Sequence, residues 1–159
     1  MSKECVLYQR SVSTTDDFTI SPSVTVYGVC PSGFSVLHRR CIKIVTDRLN
    51  WNAAKELCRG HGAELITLES QAKMSTFRDL MLADGYGSYN DYFWCGASEV
   101  NGVWQWIDGE TFSSNSDLWC DNQPGGANEH CTMIRKETFN CFHDELCDSN
   151  HPFVCEIEI

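Results

Sequence analysis

Cysteine offers the most chemistry in this sequence. Ten of the 159 residues are cysteines, at positions 5, 30, 41, 58, 95, 120, 131, 141, 147 and 155. Thiols at this density pair into disulfides in an oxidising compartment and are rare in a reducing one. Zinc binding is the competing use, but it needs C-x2-C pairs or a C-x2-4-C…H-x3-5-H spacing. Neither occurs. His143 beside Asp144 is a second candidate, since such a pair could serve acid–base chemistry. Hydrolysis also needs a nucleophile or a base placed against an oxyanion site, and no Ser or Cys motif of that kind is present. An enzyme is therefore not expected. Oxygen donors come third. Asp and Glu total 22 against 12 Lys and Arg, a formal net charge of −10. Carboxylates suit a hard cation such as calcium. An acidic chain is a poor partner for nucleic acid or an anionic membrane.

The elements that must position these groups follow from periodicity. Residues 1–29 form an extension, loop-like around Ser11–Asp17, with a short strand signal at Val24–Tyr27. The main domain spans 30–159. Phe34 to Val45 reads as a strand pair turning near His38-Arg39-Arg40. Asn50 caps a helix that carries Trp51, Ala54, Leu57 and Cys58 on one face, and Gly60 and Gly62 end it. Leu65–Leu68 is an extended link. Ser70 caps a second helix, with Met74, Phe77, Leu80 and Met81 on one face and Gly85 as its stop. After Gly85 the helical period disappears. Tyr92–Gly96, Val103–Ile107, Cys131–Ile134 and Phe153–Ile157 read as short strands. Residues 108–128 read as one long loop, a length that usually carries function. Tyr86, Tyr89 and Tyr92 read as decoration of an exposed loop, with a protein-binding patch as the alternative. Trp104 and Trp106 read as core. No run of 18 apolar residues is present, so no membrane insertion is expected. Met1-Ser2-Lys3-Glu4-Cys5 has no apolar core of a signal peptide. Secretion would then imply that the signal has been removed and that Met1 is an expression start.

In this order the pieces resemble the C-type lectin-like domain family, in its long form. Cys30-Pro31…Phe34…Cys41 resembles the N-terminal hairpin and its disulfide. Trp51…Ala54…Cys58…Gly62-Ala63…Leu65 resembles the first helix and its exit. Phe93-Trp94-Cys95-Gly96 resembles the Trp-Ile-Gly core strand, and Trp104-Gln105-Trp106…Asp108-Gly109 the W-x-W-x-D-G run. Glu129-His130-Cys131, Asp144-Glu145-Leu146-Cys147 and Pro152-Phe153-Val154-Cys155-Glu156 resemble the end of the domain. The resemblance implies an α+β fold: two helices packed on a small, mostly antiparallel sheet, with a long ligand-binding loop. It also implies the disulfides Cys30–Cys41, Cys58–Cys155 and Cys131–Cys147. Cys5, Cys95, Cys120 and Cys141 remain, and four cysteines allow three complete pairings. Cys120–Cys141 is the pairing expected here, because the loops bearing them converge at the ligand site of this fold. Cys95 then reads as a buried thiol. Cys5 is open between a bond linking two copies into a homodimer and a bond within the chain.

The family's lectins hold a sugar through calcium, with carboxylate and amide ligands at three places. Here the tripeptide is Gln123-Pro124-Gly125, a Gln-Pro-Gly variant, and the resemblance implies a cis bond before Pro124. Gly125 has no side chain, so one ligand is missing. Glu129 stands at the acidic position before a cysteine. Asp144 keeps the last position, while His143 replaces an Asn. The implied metal ligands are Gln123, Glu129 and Asp144, and the implied carbohydrate-binding residues are these three with His143. Imidazole is a poor calcium ligand. The Gln-Pro order leans towards galactose-type sugars. Gln-Pro-Gly-Gly is equally a good turn that needs no metal. The resemblance thus implies a secreted, extracellular carbohydrate-binding protein that recognises cell-surface or microbial glycans with calcium, as in innate immunity. The alternatives are a degenerate calcium site that binds a protein or other ligand, and a structural matrix protein.

Overall fold

Asn50 ends one strand and starts a helix. Its Oδ1 accepts from the Ala53 N–H at 2.9 Å, satisfying a donor that the first helical turn leaves without a partner. The helix α1 (Trp51–Gly60) buries Trp51, Ala54 and Cys58, as their spacing predicts. The Trp51 indole N–H donates to the Cys95 carbonyl at 2.8 Å, pinning the helix to the sheet. Ser70 starts α2 (Gln71–Ala83) in the same way, its Oγ accepting from the Lys73 N–H at 3.2 Å. Met74, Phe77 and Met81 are fully buried beneath α2.

The structure, a computed structural model, describes residues 30–37, 39–86, 92–134 and 139–159. The strands are β1 (Ser35–Leu37), β2 (Arg40–Leu49), β3 (Glu64–Leu65), β4 (Phe93–Val100), β5 (Val103–Trp106), β6 (Thr111–Phe112), β7 (Cys131–Ile134), β8 (Phe142–Glu145) and β9 (His151–Glu158). They form one sheet along β1-β2-β9-β4-β5-β6, with β3 on β9 and the β7–β8 pair on β4. All pairings are antiparallel except β4 with β9, which meet in parallel at Trp94 and Phe153. The expected α+β fold of two helices on a mostly antiparallel sheet is what the chain adopts, with nine strands among the described residues. Gly96 lets β4 pass the exit of β3. A Cβ there would lie 2.5 Å from the Leu65 carbonyl oxygen.

One core cluster lies under α2 and the long loop, around Phe77, Phe93, Trp104, Trp119, Phe139 and Phe142. A second lies under α1, around Trp51, Leu65, Trp94 and Phe153. Among the described residues four disulfides close the frame: Cys30–Cys41, Cys58–Cys155, Cys120–Cys141 and Cys131–Cys147. Cys95 is a buried free thiol among the described residues.

Several expectations need correcting. Residues 108–128 are not structureless, because β6 pairs with β5 and Phe112 stacks on Trp106. β8 was not anticipated, since His143, Asp144 and Glu145 do not read as strand formers. In the extended link Leu65–Leu68, Leu65 ends β3 and Ile66 bonds through its backbone to Val154 and Gly96. Tyr86 and Tyr92 are half-buried rather than exposed, packed edge-on against Phe93 and His143 respectively. Residues 1–29 with Cys5 and Val24–Tyr27, the turn residue His38, and Tyr89 lie outside the described residues.

Candidate ligand-binding site

The site is built outward from β8. Successive side chains of a strand point to opposite faces. Phe142 and Asp144 are buried, whereas His143 and Glu145 are half-buried. Asp144 is only 4% exposed. Its Oδ2 accepts from the backbone N–H groups of Gly125 and Gly126, at 2.9 and 3.0 Å. That carboxylate therefore fastens the long loop to the sheet. Closer to the loop's start, Cys120–Cys141 and the bond from the Cys120 N–H to the Phe142 carbonyl, 3.0 Å, do the same.

The turn between these anchors has a cis peptide bond at Gln123–Pro124. The Glu129 N–H donates to the Gly126 carbonyl at 3.1 Å, folding Glu129 back over the turn. Gly126 is what allows this, because any Cβ there would overlap the Glu129 carboxylate. A cleft of about 260 Å³ opens between the turn and the sheet, lined by Glu99, Trp104, the Pro124–Ala127 backbone, Glu129 and Asp144. Clefts of about 340 and 330 Å³ flank Glu156 elsewhere. There the Glu156 carboxylate meets Thr67 and Arg40 through Oε1, and its Oε2, without a hydrogen bond, is charge-paired with Lys73 Nζ at 3.2 Å.

The cleft by the long loop is not satisfied in that way. Asp144 Oδ1, which lines it, is buried and has no hydrogen-bond partner, and the same holds for Gln123 Oε1 in the adjoining turn. Buried acceptors without donors are costly, and each calls for an explanation. The Glu129 carboxyl is held above its ordinary value, first by desolvation and then by the negative charges of Asp144 and Glu145. Oxygen donors with excess negative charge fit a hard cation. The donor set is small, however. Among the described residues, no group of three or more His, Cys, Asp and Glu side chains is gathered as metal ligands. Water, backbone or ligand oxygens would have to complete a calcium shell.

The predicted residues are thus only partly assembled. Glu129 and Asp144 share the cleft. Gln123 is half-buried at the turn and is not among the lining residues. His143 stands on the opposite face of β8, its ring centroid 5.6 Å from that of Tyr92, and does not line the cleft. Two lining residues were missed, Glu99 and Trp104. They sit opposite one another in the β4–β5 register, and that cross-strand pairing was the only available signal.

Residues 47–157 match the model of the lectin C-type domain. The chain belongs to the C-type lectin domain family. C-type lectin domain family 6 member A of Mus musculus is 28% identical over 158 residues, covering 95% of this chain and 71% of that protein. The hepatic lectin of Gallus gallus is 30% identical over 121 residues, covering 74% of this chain and 54% of that protein. The chain thus spans about half the length of that second relative. Among solved structures, the SPL-1–GlcNAc complex superposes with a TM-score of 0.70 at 25% identity, over 83% of this chain and 97% of that one. A calcium-independent type II antifreeze protein superposes with a TM-score of 0.66 at 23% identity, over 82% and 95%.

Proposed function

We propose that this chain is a secreted lectin that binds glycans on cell or microbial surfaces through a weakly held calcium ion. A buried acceptor oxygen without a donor, Asp144 Oδ1 in the cleft, carries this proposal. A cation in the cleft against Asp144 Oδ1 removes the cost of its burial, and Glu129, which lines the same cleft, supplies a second oxygen ligand. Calcium tolerates irregular shells, and sugar hydroxyls can complete one. The Gln123-Pro124 order favours galactose-type sugars. Glycan binding by relatives, including the GlcNAc complex of SPL-1, supports the ligand class. Four disulfides support an oxidising, extracellular setting.

One observation favours a second reading. Asp144 Oδ2 already closes the loop onto the sheet without any metal, and one structural neighbour is a calcium-independent antifreeze protein. A protein or other ligand would then bind a preformed loop, or the chain would serve as a matrix component. Calorimetric titration with calcium, followed by galactose-column retention with and without chelator, separates the two. The lectin proposal expects retention that is lost with chelator and in Glu129→Ala. Retention that survives both would leave only the metal-free reading.

A further inference from the structure

We propose that the cleft prefers sugars bearing an ammonium group, and that Glu99 sets this preference. The inference rests on glycan binding at this cleft and names the substrate class within it.

Glu99 lies near the end of β4, with its side chain 26% exposed. Two contacts to His130 hold it in place. The Glu99 N–H donates to the His130 carbonyl at 2.8 Å, and Glu99 Oε2 lies 2.8 Å from His130 Nδ1. The side chain is therefore fixed before any ligand arrives, which lowers the entropy cost of using it. Trp104 faces it across the β4–β5 register, and both line the cleft.

The charges decide what can enter. Glu99, Glu129 and Asp144 all line this space, and no Lys or Arg does. Asp144 is more than nine-tenths buried and keeps one oxygen without a partner, so the space is built for a positively charged guest. A calcium ion held by Glu129 and Asp144 balances those two carboxylates and leaves Glu99 unmatched by any lining cation. An ammonium substituent on the sugar ring can form a charge-assisted hydrogen bond to Glu99. It can also approach the Trp104 ring, whose face attracts cations. A sulfated or carboxylated sugar would meet a like charge in the same place. Neutral sugars lack both effects.

The test uses the whole chain at neutral pH with saturating calcium. Galactose, galactosamine, N-acetylgalactosamine and galactose 6-sulfate are titrated by calorimetry. Galactosamine is expected to bind about fivefold tighter than galactose, as suits a partly exposed ion pair. N-acetylgalactosamine should lose that gain, and the sulfate should be weakest. The galactosamine gain should shrink in 0.5 M sodium chloride, where the screening length falls to a few ångströms. Glu99→Gln should bring the galactosamine-to-galactose ratio to about one. Equal binding of amine and neutral sugars, a gain insensitive to salt, or a ratio that survives Glu99→Gln would overturn the inference. If neutral sugars bind with calcium but the amine has no advantage, only this inference fails. If no sugar binds, the lectin reading fails with it.

Discussion

Glu129 carries the conflict of the site within one residue. Its carboxyl is pushed above its ordinary value by desolvation and by Asp144 and Glu145, so its ionised form is disfavoured in the folded chain. A carboxyl raised on folding lends relative stability while protonated and loses it as pH rises through the raised value. Once ionised without calcium, Glu129 leaves the fold bearing that strain. Glu129→Gln removes it. The variant should melt slightly above the parent at pH 7, and the gap should close as pH falls below about 4, the ordinary range for Glu. Adding calcium should reverse the order, because only the parent gains a ligand that binds the native state alone. Melting curves at both pH values, with calcium and with chelator, check this. A variant that melts lower at pH 7 in chelator would show that Glu129 supports the loop rather than straining it.

At the level of elements, the caps make a sharp prediction. Asn50 Oδ1 satisfies the Ala53 N–H, and α1 presents Trp51 to the Cys95 carbonyl. Asn50→Ala should cost about 1 kcal/mol in urea unfolding. Asn50→Asp, which keeps the acceptor, should cost much less. Both helices were legible in the sequence for this reason: cap, apolar period and terminal glycine act within one turn of chain. β6 and β8 were not legible, because β6 is only two residues long, His143, Asp144 and Glu145 of β8 carry little strand preference, and pairing to other strands holds both. Thr111–Phe112 pairs because Phe112 can stack on Trp106, and β8 pairs because β7 already sits against β4. The site divides the same way. Gln123, Glu129 and Asp144 could be named only from family resemblance. Glu99 and Trp104 needed the register of two strands, and the outward turn of His143 needed the pleat of β8.

For the molecule as a whole, the disulfides separate stability from binding. Cys58–Cys155 joins α1 to β9 across 97 residues, and β9 pairs with β2, β3 and β4. Closing so long a loop restricts the unfolded chain strongly, worth roughly 2–5 kcal/mol. Its effect falls on the frame, because neither cysteine lines the cleft. Cys120–Cys141 closes only 21 residues, yet it stands three residues from both Gln123 and Asp144. The double variant Cys58→Ala/Cys155→Ala should therefore lose the most melting temperature, while calcium titrates it normally at a temperature where it is still folded. Cys120→Ala/Cys141→Ala should lose less stability but bind calcium more weakly, since only hydrogen bonds, those of Asp144 to Gly125 and Gly126 and of Cys120 to Phe142, would then hold the turn. Equal loss of calcium affinity in both variants would mean that frame and loop form one cooperative unit, and that the cleft is not shaped locally. Unchanged affinity in the second would mean that Asp144 and the turn it grips suffice to hold the site.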